Sequence, residues 1–559
     1  AAPVIWRVRV RSAEAATTGT PSADVAHPRG VGRAHGDEVT PSGAHRACGP
    51  PASTAPRRMR DGRLRALLGT RATHLPLLFL GSVATGLICG VHGQPIYGDA
   101  AWFLYASQAA HRGEPIYSAL SYGYTPYGPL VGAAAIAGAQ AFAVPSYIAP
   151  RYLNLLAHAL CPCVLYLVSM HVWPRSSVRG FLSAATLTGF GLQTVLAVDR
   201  LNPKTWLTLC SLLCVLFVLR GRWTLAGCAA AAAALFWQPG AVCVAAAGLL
   251  VPARAGADWR RAAVRYTAGV LLGAAPFVAY LAVTGEWHAF WLSAVRGHLE
   301  AVGHTRGAAR YVRWLAMPIY FWSEFPVFVV AAIAFIAYHA RAIRDGGPMA
   351  VVARSPVAVL TTFTCAYLAV AVVDFDGSGD AGPLLPFIAW WAVVYAPNAF
   401  AKVEGLLARA LPSRAPWHCV SHNGALALAL VALFIDMPLY APRFTLAEQR
   451  AFLQRVTGDG QVDFLAISAP EFYVLTERPS PIPYIVFYPR IDWLAESRGL
   501  GRFVANVADE LKPIVIVLRQ RLAGSTLHAV LADRIFRGLP STAHQLARPY
   551  YSAREAFTG

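Results

Sequence analysis

Residues 97–130 read YGDAAWFLYASQAAHRGEPIYSALSYGYTPYGPL, and they follow directly on the first long apolar run, residues 75–91. A run of that length is typical of a membrane-spanning helix, so Asp99 is expected just beyond the end of a span. Aromatic residues and a Tyr-Thr-Pro-Tyr-Gly-Pro turn come after it. A carboxylate at a membrane face, surrounded by aromatic rings, suits chemistry on a polar head group that is carried by a lipid.

The composition is that of a membrane protein. The 559 residues are 56% hydrophobic and 14% charged, with a mean hydropathy of +0.45, whereas soluble domains carry about 25% charged residues. Because lipid offers no partner for unpaired backbone groups, the apolar runs are expected to be helices. The net charge of +19 is mostly arginine spread between these runs, so we attribute it to the positive-inside rule and expect no nucleic acid partner.

About eleven runs are long enough to cross a membrane. They lie near residues 75–92, 152–173, 180–198, 203–219, 223–237, 239–252, 266–284, 316–340, 356–373, 383–400 and 423–440. Arginine-rich connections alternate with connections that are poorer in arginine, which predicts a cytoplasmic N-terminus in the plasma membrane. This alternation requires that residues 128–144, a short segment rich in small side chains, form a helix in the membrane interface instead of a span.

The sequence divides into three parts. Residues 1–70 lack periodicity, which predicts a disordered basic extension; an alternative is that Met59 is the true start. Residues 71–440 hold the predicted spans. Residues 441–559 predict a small α/β domain with a parallel sheet, because short β-rich runs alternate with helix-like segments. The β-rich runs are 463–468, 484–488 and 514–518. An odd number of spans places this domain outside the cell.

Two acids at the predicted outer face are candidate catalytic residues. Asp99 is interpreted as a general base for an acceptor hydroxyl, and the alternative is a cap for the helix that begins there. Asp199 lies between two spans, beside Arg200 and Lys204. Ionisable groups at membrane depth are costly and usually functional, which predicts a second acidic site whose bases hold a phosphate. The alternative is a mutually neutralised cluster that anchors two helix ends.

Further polar residues near this face are candidates for substrate binding. Gln238 precedes Pro-Gly in a break within a long apolar stretch, and it is either a substrate contact or part of a simple hairpin turn. The loop 285–315 contains His298, His304 and Arg306 and is unusually basic for an outer loop. Arginine binds phosphate through paired hydrogen bonds. The alternative is a solvated basic surface near anionic head groups.

No metal site is predicted. His298 and His304 do not have the spacing of zinc ligands on a helix. The acidic turn with Asp374, Asp376 and Asp380 lacks the glutamate that closes a calcium loop, so a flexible loop is favoured and a divalent cation stays an open alternative. The sequence contains no phosphate-binding Gly-rich loop and no nucleophile elbow, which argues against an ATP-driven pump and a serine hydrolase.

In their order along the chain, these motifs resemble the polytopic glycosyltransferases of the GT-C fold, especially the dolichyl-phosphate-mannose mannosyltransferase-like group. The resemblance runs over most of residues 75–520. It rests on the early aspartate in YGDAAWFLYA, the Gly113–Tyr117 stretch, the Tyr-Thr-Pro-Tyr-Gly-Pro turn, Arg151 in PRYLNLLAHAL, the VDRLNPKTWLTL and FWQPG segments, and the tail. In fold it implies an all-α polytopic membrane region of about eleven transmembrane helices with a small C-terminal extracytoplasmic α/β domain.

In function the resemblance implies transfer of a sugar from a polyprenyl phosphate to a hydroxyl of a lipid, glycan or protein, with inversion at the anomeric carbon. Asp99 would be the base and Asp199 a second active-site carboxylate. The residues implied to contact substrate are Arg151, Arg200, Lys204, Gln238, His298, His304 and Arg306. No cofactor is required. The acidic turn 374–380 departs from related chains, which often carry a basic or amide residue there.

A different class of protein is the main alternative. A polytopic transporter or lipid flippase would carry out no transfer chemistry, but it should show inverted repeats and charges in the middle of the membrane. The sequence shows no convincing repeat, and its acids cluster at one face. A catalytically inactive scaffold is the third alternative.

Overall fold

Helices make up most of the described chain. The computed structural model describes residues 71–91, 93–96, 99–120, 122–174, 176–191, 201–297, 325–346, 355–373, 378–395, 445–457, 464–467, 470–480 and 515–518. All of them belong to one compact unit, Asp61–Gly559. The predicted extension 1–70, the predicted span 423–440 and the predicted strand 484–488 lie outside the described residues.

The first half of the described chain contains the helices α1 (Arg71–Ile88), α2 (Asp99–His111), α3 (Ile116–Leu120), α4 (Tyr127–Gln140), α5 (Ala149–Val172), α6 (Ser177–Gly189), α7 (Pro203–Leu219) and α8 (Trp223–Phe236). The 3-10 turn Gln238–Gly240 leads into α9 (Ala241–Ala255), and the 3-10 turn Gly256–Asp258 leads into α10 (Trp259–Thr284). Next come α11 (Trp287–Phe290), the π-helix Trp291–Arg296, α12 (Phe325–Gly346), α13 (Pro356–Val373), the 3-10 helix Ser378–Leu384, α14 (Leu385–Trp390) and the π-helix Trp391–Tyr395. The C-terminal elements are α15 (Leu446–Thr457), β1 (Phe464–Ile467), α16 (Glu471–Thr476) and β2 (Val515–Leu518).

The described helices are long and apolar enough for a membrane protein. Three stretches reach the length and hydropathy of a membrane span, and five shorter apolar helices accompany them. The three stretches are Ala149–Val172, Gln238–Thr284 and Val327–Arg344. Several helix bounds match the predicted spans closely, as α7 and α13 do. The total of about eleven spans stays a prediction.

The long stretch Gln238–Thr284 folds back on itself. The Tyr266 hydroxyl on α10 donates a hydrogen bond of 2.7 Å to the Val244 carbonyl on α9. In a straight helix, residues this far apart in sequence would be separated by about 33 Å. The reversal occurs at Gly256, whose φ of +58° is strained for residues with a side chain. The stretch is therefore a hairpin of two helices, as predicted from the runs 239–252 and 266–284.

Helices α8 and α10 run in the same direction and pack closely through small residues. A Cβ atom at Gly269 would overlap the Thr224 carbonyl, and one at Gly273 would lie 2.9 Å from the Cys228 carbonyl. Gly269 and Gly273 form a G-x-x-x-G pattern, which permits close backbone approach between membrane helices. This contact keeps α10 against the bundle, although much of its other surface exposes large apolar side chains.

Positive charge collects at one end of the helix bundle. The exposed Arg220 and Arg222 occupy the connection from α7 to α8, and the exposed Arg260 and Arg261 begin α10. The turn Gln238–Gly240 lies at the opposite end of α8. The helix ends therefore show the charge asymmetry on which the predicted topology rests. Which of the two ends faces the cytoplasm stays a prediction.

Two large clusters of buried side chains, joined through Tyr124, organise the described residues. The larger one, the bundle core, extends from Ala157 on α5 to Val394 in the second π-helix. The smaller one, called here the outer cluster, joins α2, α3, the last turns of α10 and α16. Its buried members include Trp102, Tyr105, Tyr117, Tyr122, Leu281, Phe472 and Tyr473. The aromatic side chains of α2 and α3 thus belong mainly to the outer cluster.

The C-terminal elements are short. β1 and β2 pair in parallel, with Phe464 opposite Val515 and Ile467 opposite Leu518. Helix α15 begins with a capping box, because the Thr445 N–H donates to Glu448 Oε2 at 2.6 Å and the Glu448 N–H donates to Thr445 Oγ1 at 3.3 Å. The backbone and hydroxyl donors of Thr445 lower the pKa of the Glu448 carboxyl. The complete α/β domain stays a prediction.

Because α8 and α10 pack so closely, we expect alanine substitutions at two glycines to differ sharply in their effect on stability. Gly269→Ala should lower the free energy of unfolding by about 1–3 kcal/mol, because the added methyl group overlaps backbone that cannot move aside. Gly248→Ala on α9 is the control, since its Cβ would lie 3.6 Å from Tyr266 in ordinary contact. Thermal unfolding in detergent measures both variants. Equal melting temperatures would contradict the close packing described here.

Candidate active site

The start of α5 holds together two chain segments that border the predicted catalytic loops. Arg151 is 1% exposed and donates from Nη2 to the Gln94 carbonyl at 3.0 Å. Asn154, one helical turn later and fully buried, accepts at Oδ1 from the Asn202 N–H at 3.1 Å. Gln94 precedes Asp99 by five residues. Asn202 follows Asp199 by three residues, although Asp199 itself lies outside the described residues. One face of α5 therefore anchors both segments.

Asp99 is the first residue of α2 and is half-buried. A carboxylate in the first turn of a helix is stabilised by the partial positive charge of the helix N-terminus. The ten residues that follow it, from Ala100 to Ala109, are all buried, so the backbone that carries Asp99 is firmly fixed. This position is compatible with both roles considered above, the helix cap and the general base.

Lys204 lies in the first turn of α7. Asn202 caps this helix, and its Oδ1 accepts from the Lys204 N–H at 2.9 Å. The Lys204 ammonium lies 4.7 Å from the centroid of the Trp237 ring, which is a cation–π distance. Trp237 immediately precedes the turn Gln238–Gly240. The two predicted substrate-binding residues Lys204 and Gln238 are therefore brought to the same end of the bundle.

Gln238 connects three parts of the chain. Its Nε2 donates to the Gly123 carbonyl at 2.9 Å and to the Ala294 carbonyl at 3.3 Å. Gly123 belongs to the aromatic turn before α4, and Ala294 belongs to the first π-helix. Its Oε1 is buried and has no hydrogen-bond partner in the described part of the chain. The Gln238 amide thus holds the backbone of two other segments in place. A simple hairpin turn, which was the alternative, would not require these hydrogen bonds.

The turn fixed by Gln238 belongs to a cluster of aromatic rings. Ring centroids are separated by 5.2 Å between Phe103 and Tyr124, 5.8 Å between Tyr122 and Tyr124, and 6.2 Å between Tyr117 and Tyr122. Burial raises the pKa of the Tyr122 phenol well above its usual range, and burial does the same for Tyr117. These two phenols therefore stay neutral, so the buried aromatic cluster takes no charge from them.

Glu286 is a structural residue that sequence reasoning missed. It is 3% exposed, and its Oε1 accepts from the Tyr117 N–H at 2.9 Å, the Ser118 N–H at 2.7 Å and the Ser118 hydroxyl at 2.9 Å. The Tyr280 hydroxyl donates to Oε2 at 2.6 Å. Gly285, with φ +70°, ends α10 and turns the chain so that Glu286 reaches α3. An acid directly after a glycine at a span end was the only sequence signal.

The C-terminal elements pack onto the same outer segment. Gln449 on α15 accepts from the Ile96 N–H at 2.8 Å and donates to the Ile96 carbonyl at 2.6 Å. Gln108 on α2 donates to the Val474 carbonyl at 3.0 Å, and the Ser480 N–H donates to the Tyr105 hydroxyl at 2.7 Å. Helices α15 and α16 therefore pack on the chain segment that borders Asp99. The placement of the C-terminal domain outside the cell stays a prediction.

The remaining predicted site residues are not described. Asp199, Arg200, His298, His304 and Arg306 lie outside the described residues, as do Asp374 and Asp376, so their roles stay predictions. Within the described ranges, no group of three or more His, Cys, Asp or Glu side chains could hold a metal ion.

The arrangement defines a helical membrane protein in which the predicted site residues Arg151, Lys204 and Gln238 lie at one end of the bundle. No protein-family model matches the chain, and no curated protein sequence matches it. Among solved structures the chain is similar to ArnT from Cupriavidus metallidurans bound to undecaprenyl phosphate, with 14% identity, a TM-score of 0.47, and coverage of 84% of this chain and 90% of ArnT.

Two further structures are similar. One is the archaeal oligosaccharyltransferase AglB from Archaeoglobus fulgidus, in complex with an inhibitory peptide and a dolichol-phosphate, with 12% identity and a TM-score of 0.45. The alignment covers 75% of this chain but only 61% of AglB. The other is the arabinofuranosyltransferase AftD from Mycobacteria, with 14% identity, a TM-score of 0.46, and coverage of 83% of this chain and 37% of AftD. TM-scores below 0.5 describe a likeness in helix arrangement and carry no conclusion about activity.

Because Glu286 is buried and accepts several hydrogen bonds, we expect its removal to lower the stability of the protein strongly. Glu286→Ala should lower the free energy of unfolding by about 2–4 kcal/mol, because it leaves backbone N–H groups of α3 buried without an acceptor. Glu114→Ala is the matched control, since Glu114 forms a partly exposed ion pair with Arg112 and should contribute little. Denaturation in detergent compares the two. A Glu286→Ala variant as stable as the control would contradict the bracing role.

Proposed function

We propose that this chain is a membrane glycosyltransferase that transfers a sugar from a polyprenyl-phosphate donor to a hydroxyl acceptor at the outer membrane face. The observation that carries the proposal is the double anchor on α5, where Arg151 fixes the segment before Asp99 and Asn154 fixes the segment after Asp199. A helix that holds both segments at one end of the bundle supports a shared site for the two carboxylates.

The proposed chemistry is a single displacement with inversion. The acceptor oxygen attacks the anomeric carbon and forms the new glycosidic bond, while the bond between that carbon and the phosphate oxygen breaks. The electron pair leaves with the polyprenyl phosphate, and the hydroxyl proton passes to the Asp99 carboxylate. Asp99 suits this task because it is the first residue of α2, a helix whose next ten residues are buried and fixed.

Basic side chains would neutralise the charge of the departing phosphate. Among the described residues Lys204 is the proposed phosphate contact, since it lies at the N-terminus of α7, where the helix dipole also favours an anion. Arg200, His298, His304 and Arg306 are further proposed contacts on sequence grounds. The leaving phosphate needs these cations more than it needs a general acid, because it departs already ionised.

Arg151 and Gln238 take a different part in this proposal. Arg151 is buried and bonded to the Gln94 carbonyl, and Gln238 is bonded to two carbonyls, so both act mainly by positioning the loops that carry the substrate contacts. No cofactor is required, and a divalent cation stays open as an alternative. The acceptor would be a lipid, a glycan or a protein, which approaches from the outer side.

Substitution of Asp99 tests the proposal. Asp99→Asn should lower transfer by about 10²–10⁴-fold, because the amide cannot take the acceptor proton. Membranes given a radiolabelled polyprenyl-phosphate sugar measure the transfer. Asp199→Asn should also impair transfer if both carboxylates serve one site. The control is Glu114→Gln, an acid on the same outer segment whose partner is Arg112.

The outcomes separate the candidate functions. Unchanged transfer by the Asp99→Asn variant would remove Asp99 as the base. Absence of transfer by the wild-type chain with every polyprenyl-phosphate sugar offered, together with movement of the lipid across the membrane, would favour a flippase.

A further inference from the structure

The side chain of Lys204 is held at both of its ends. The Asn202 cap fixes its backbone through the hydrogen bond to the Lys204 N–H. At the tip, the ammonium lies 4.7 Å from the Trp237 ring centroid. A free lysine loses much rotamer freedom when it binds a ligand, so holding both ends in advance lowers the cost of binding.

Trp237 is itself well fixed. It is 7% exposed, and its backbone N–H donates to the Ala233 carbonyl at 3.3 Å, which closes the last turn of α8. The next residue is Gln238, whose amide is bonded to two other segments of the chain. The neighbouring Trp206 and Phe236 rings stack with centroids 5.0 Å apart. The indole therefore presents its face to Lys204 from a rigid part of the fold.

An aromatic ring holds a cation without cancelling its charge. The indole of Trp237 attracts the Lys204 ammonium through its ring quadrupole, at 4.7 Å from the ring centroid. We propose that Trp237 is a positioning residue that holds the Lys204 ammonium in place for the phosphate of the donor lipid. This inference rests on the proposed function, in which Lys204 contacts that phosphate.

The small number of lysines makes a direct test practical. The chain has three lysines, Lys204, Lys402 and Lys512. Acetylation of the full-length protein in lipid nanodiscs, followed by mass spectrometry, reports the labelling rate of each lysine. The probe is undecaprenyl phosphate, the type of lipid phosphate that leaves in the proposed transfer, and its addition should slow the labelling of Lys204 relative to Lys402 and Lys512.

Trp237→Leu should raise the labelling rate of Lys204 about two- to fivefold in the absence of lipid phosphate, because the ring no longer retains the ammonium. The same variant should bind undecaprenyl phosphate more weakly, by a similar factor. Trp237→Phe keeps an aromatic face with a weaker potential, so an intermediate rise is expected. Trp206→Leu is the matched control, since it removes a neighbouring indole that stacks on Phe236 instead.

The results distinguish failure of this inference from failure of the proposed function. Lys204 labelling that is unchanged in both Trp237 variants overturns the positioning role; if Trp237→Leu does not fold, Trp237→Phe alone decides. A rise in Lys204 labelling that Trp206→Leu reproduces also overturns it, because general loosening would then explain the effect. A specific rise, without protection of wild-type Lys204 by undecaprenyl phosphate, overturns the assignment of Lys204 to the donor phosphate.

Discussion

Backbone polar groups near a membrane need partners within the protein, and here two side chains on one helical turn meet that need for two separate loops. Arg151 and Asn154 both project from the start of α5, where they bond the backbone of Gln94 and Asn202. Arg151 is a costly residue to bury, and the Gln94 carbonyl is one acceptor for its guanidinium. Because the two segments share this anchor, one turn of α5 fixes the positions of both.

The sequence could predict the helices because their signal is length and hydropathy, which lipid enforces locally. Residues 203–219 and 356–373 illustrate this, since the predicted runs coincide with α7 and α13. The difference in charge between the two ends of the bundle could also be predicted, because the arginine-rich connections are visible in the sequence. Which end faces the outside stays a prediction. The buried side chains that bond distant segments of backbone could not be predicted. Glu286 and Gln449 form hydrogen bonds to backbone that is far away in sequence. Sequence periodicity does not predict contacts between such distant residues.

The residues of the candidate site also divide into those that could be selected from the sequence and those that could not. Asp99 and Lys204 stand out as charges beside apolar runs, so residue type and position were sufficient to select them. Trp237 did not stand out, because one more aromatic residue in an apolar stretch carries no visible signal before the fold brings it over an ammonium. The pattern Gly269-x-x-x-Gly273 was not singled out in the sequence, and its close packing on α8 was identified only in three dimensions.

The packing of α15 and α16 on the outer segment has a consequence for biosynthesis. Ile96 and Gln449 are 353 residues apart, and Gln108 and Val474 are 366 residues apart. During translation the segment that carries Asp99 emerges long before these partners exist, and contacts between such distant residues form late. The outer cluster of a nascent chain therefore stays incomplete until the ribosome has passed residue 480. A polypeptide interrupted before that point would contain membrane helices but lack the completed site.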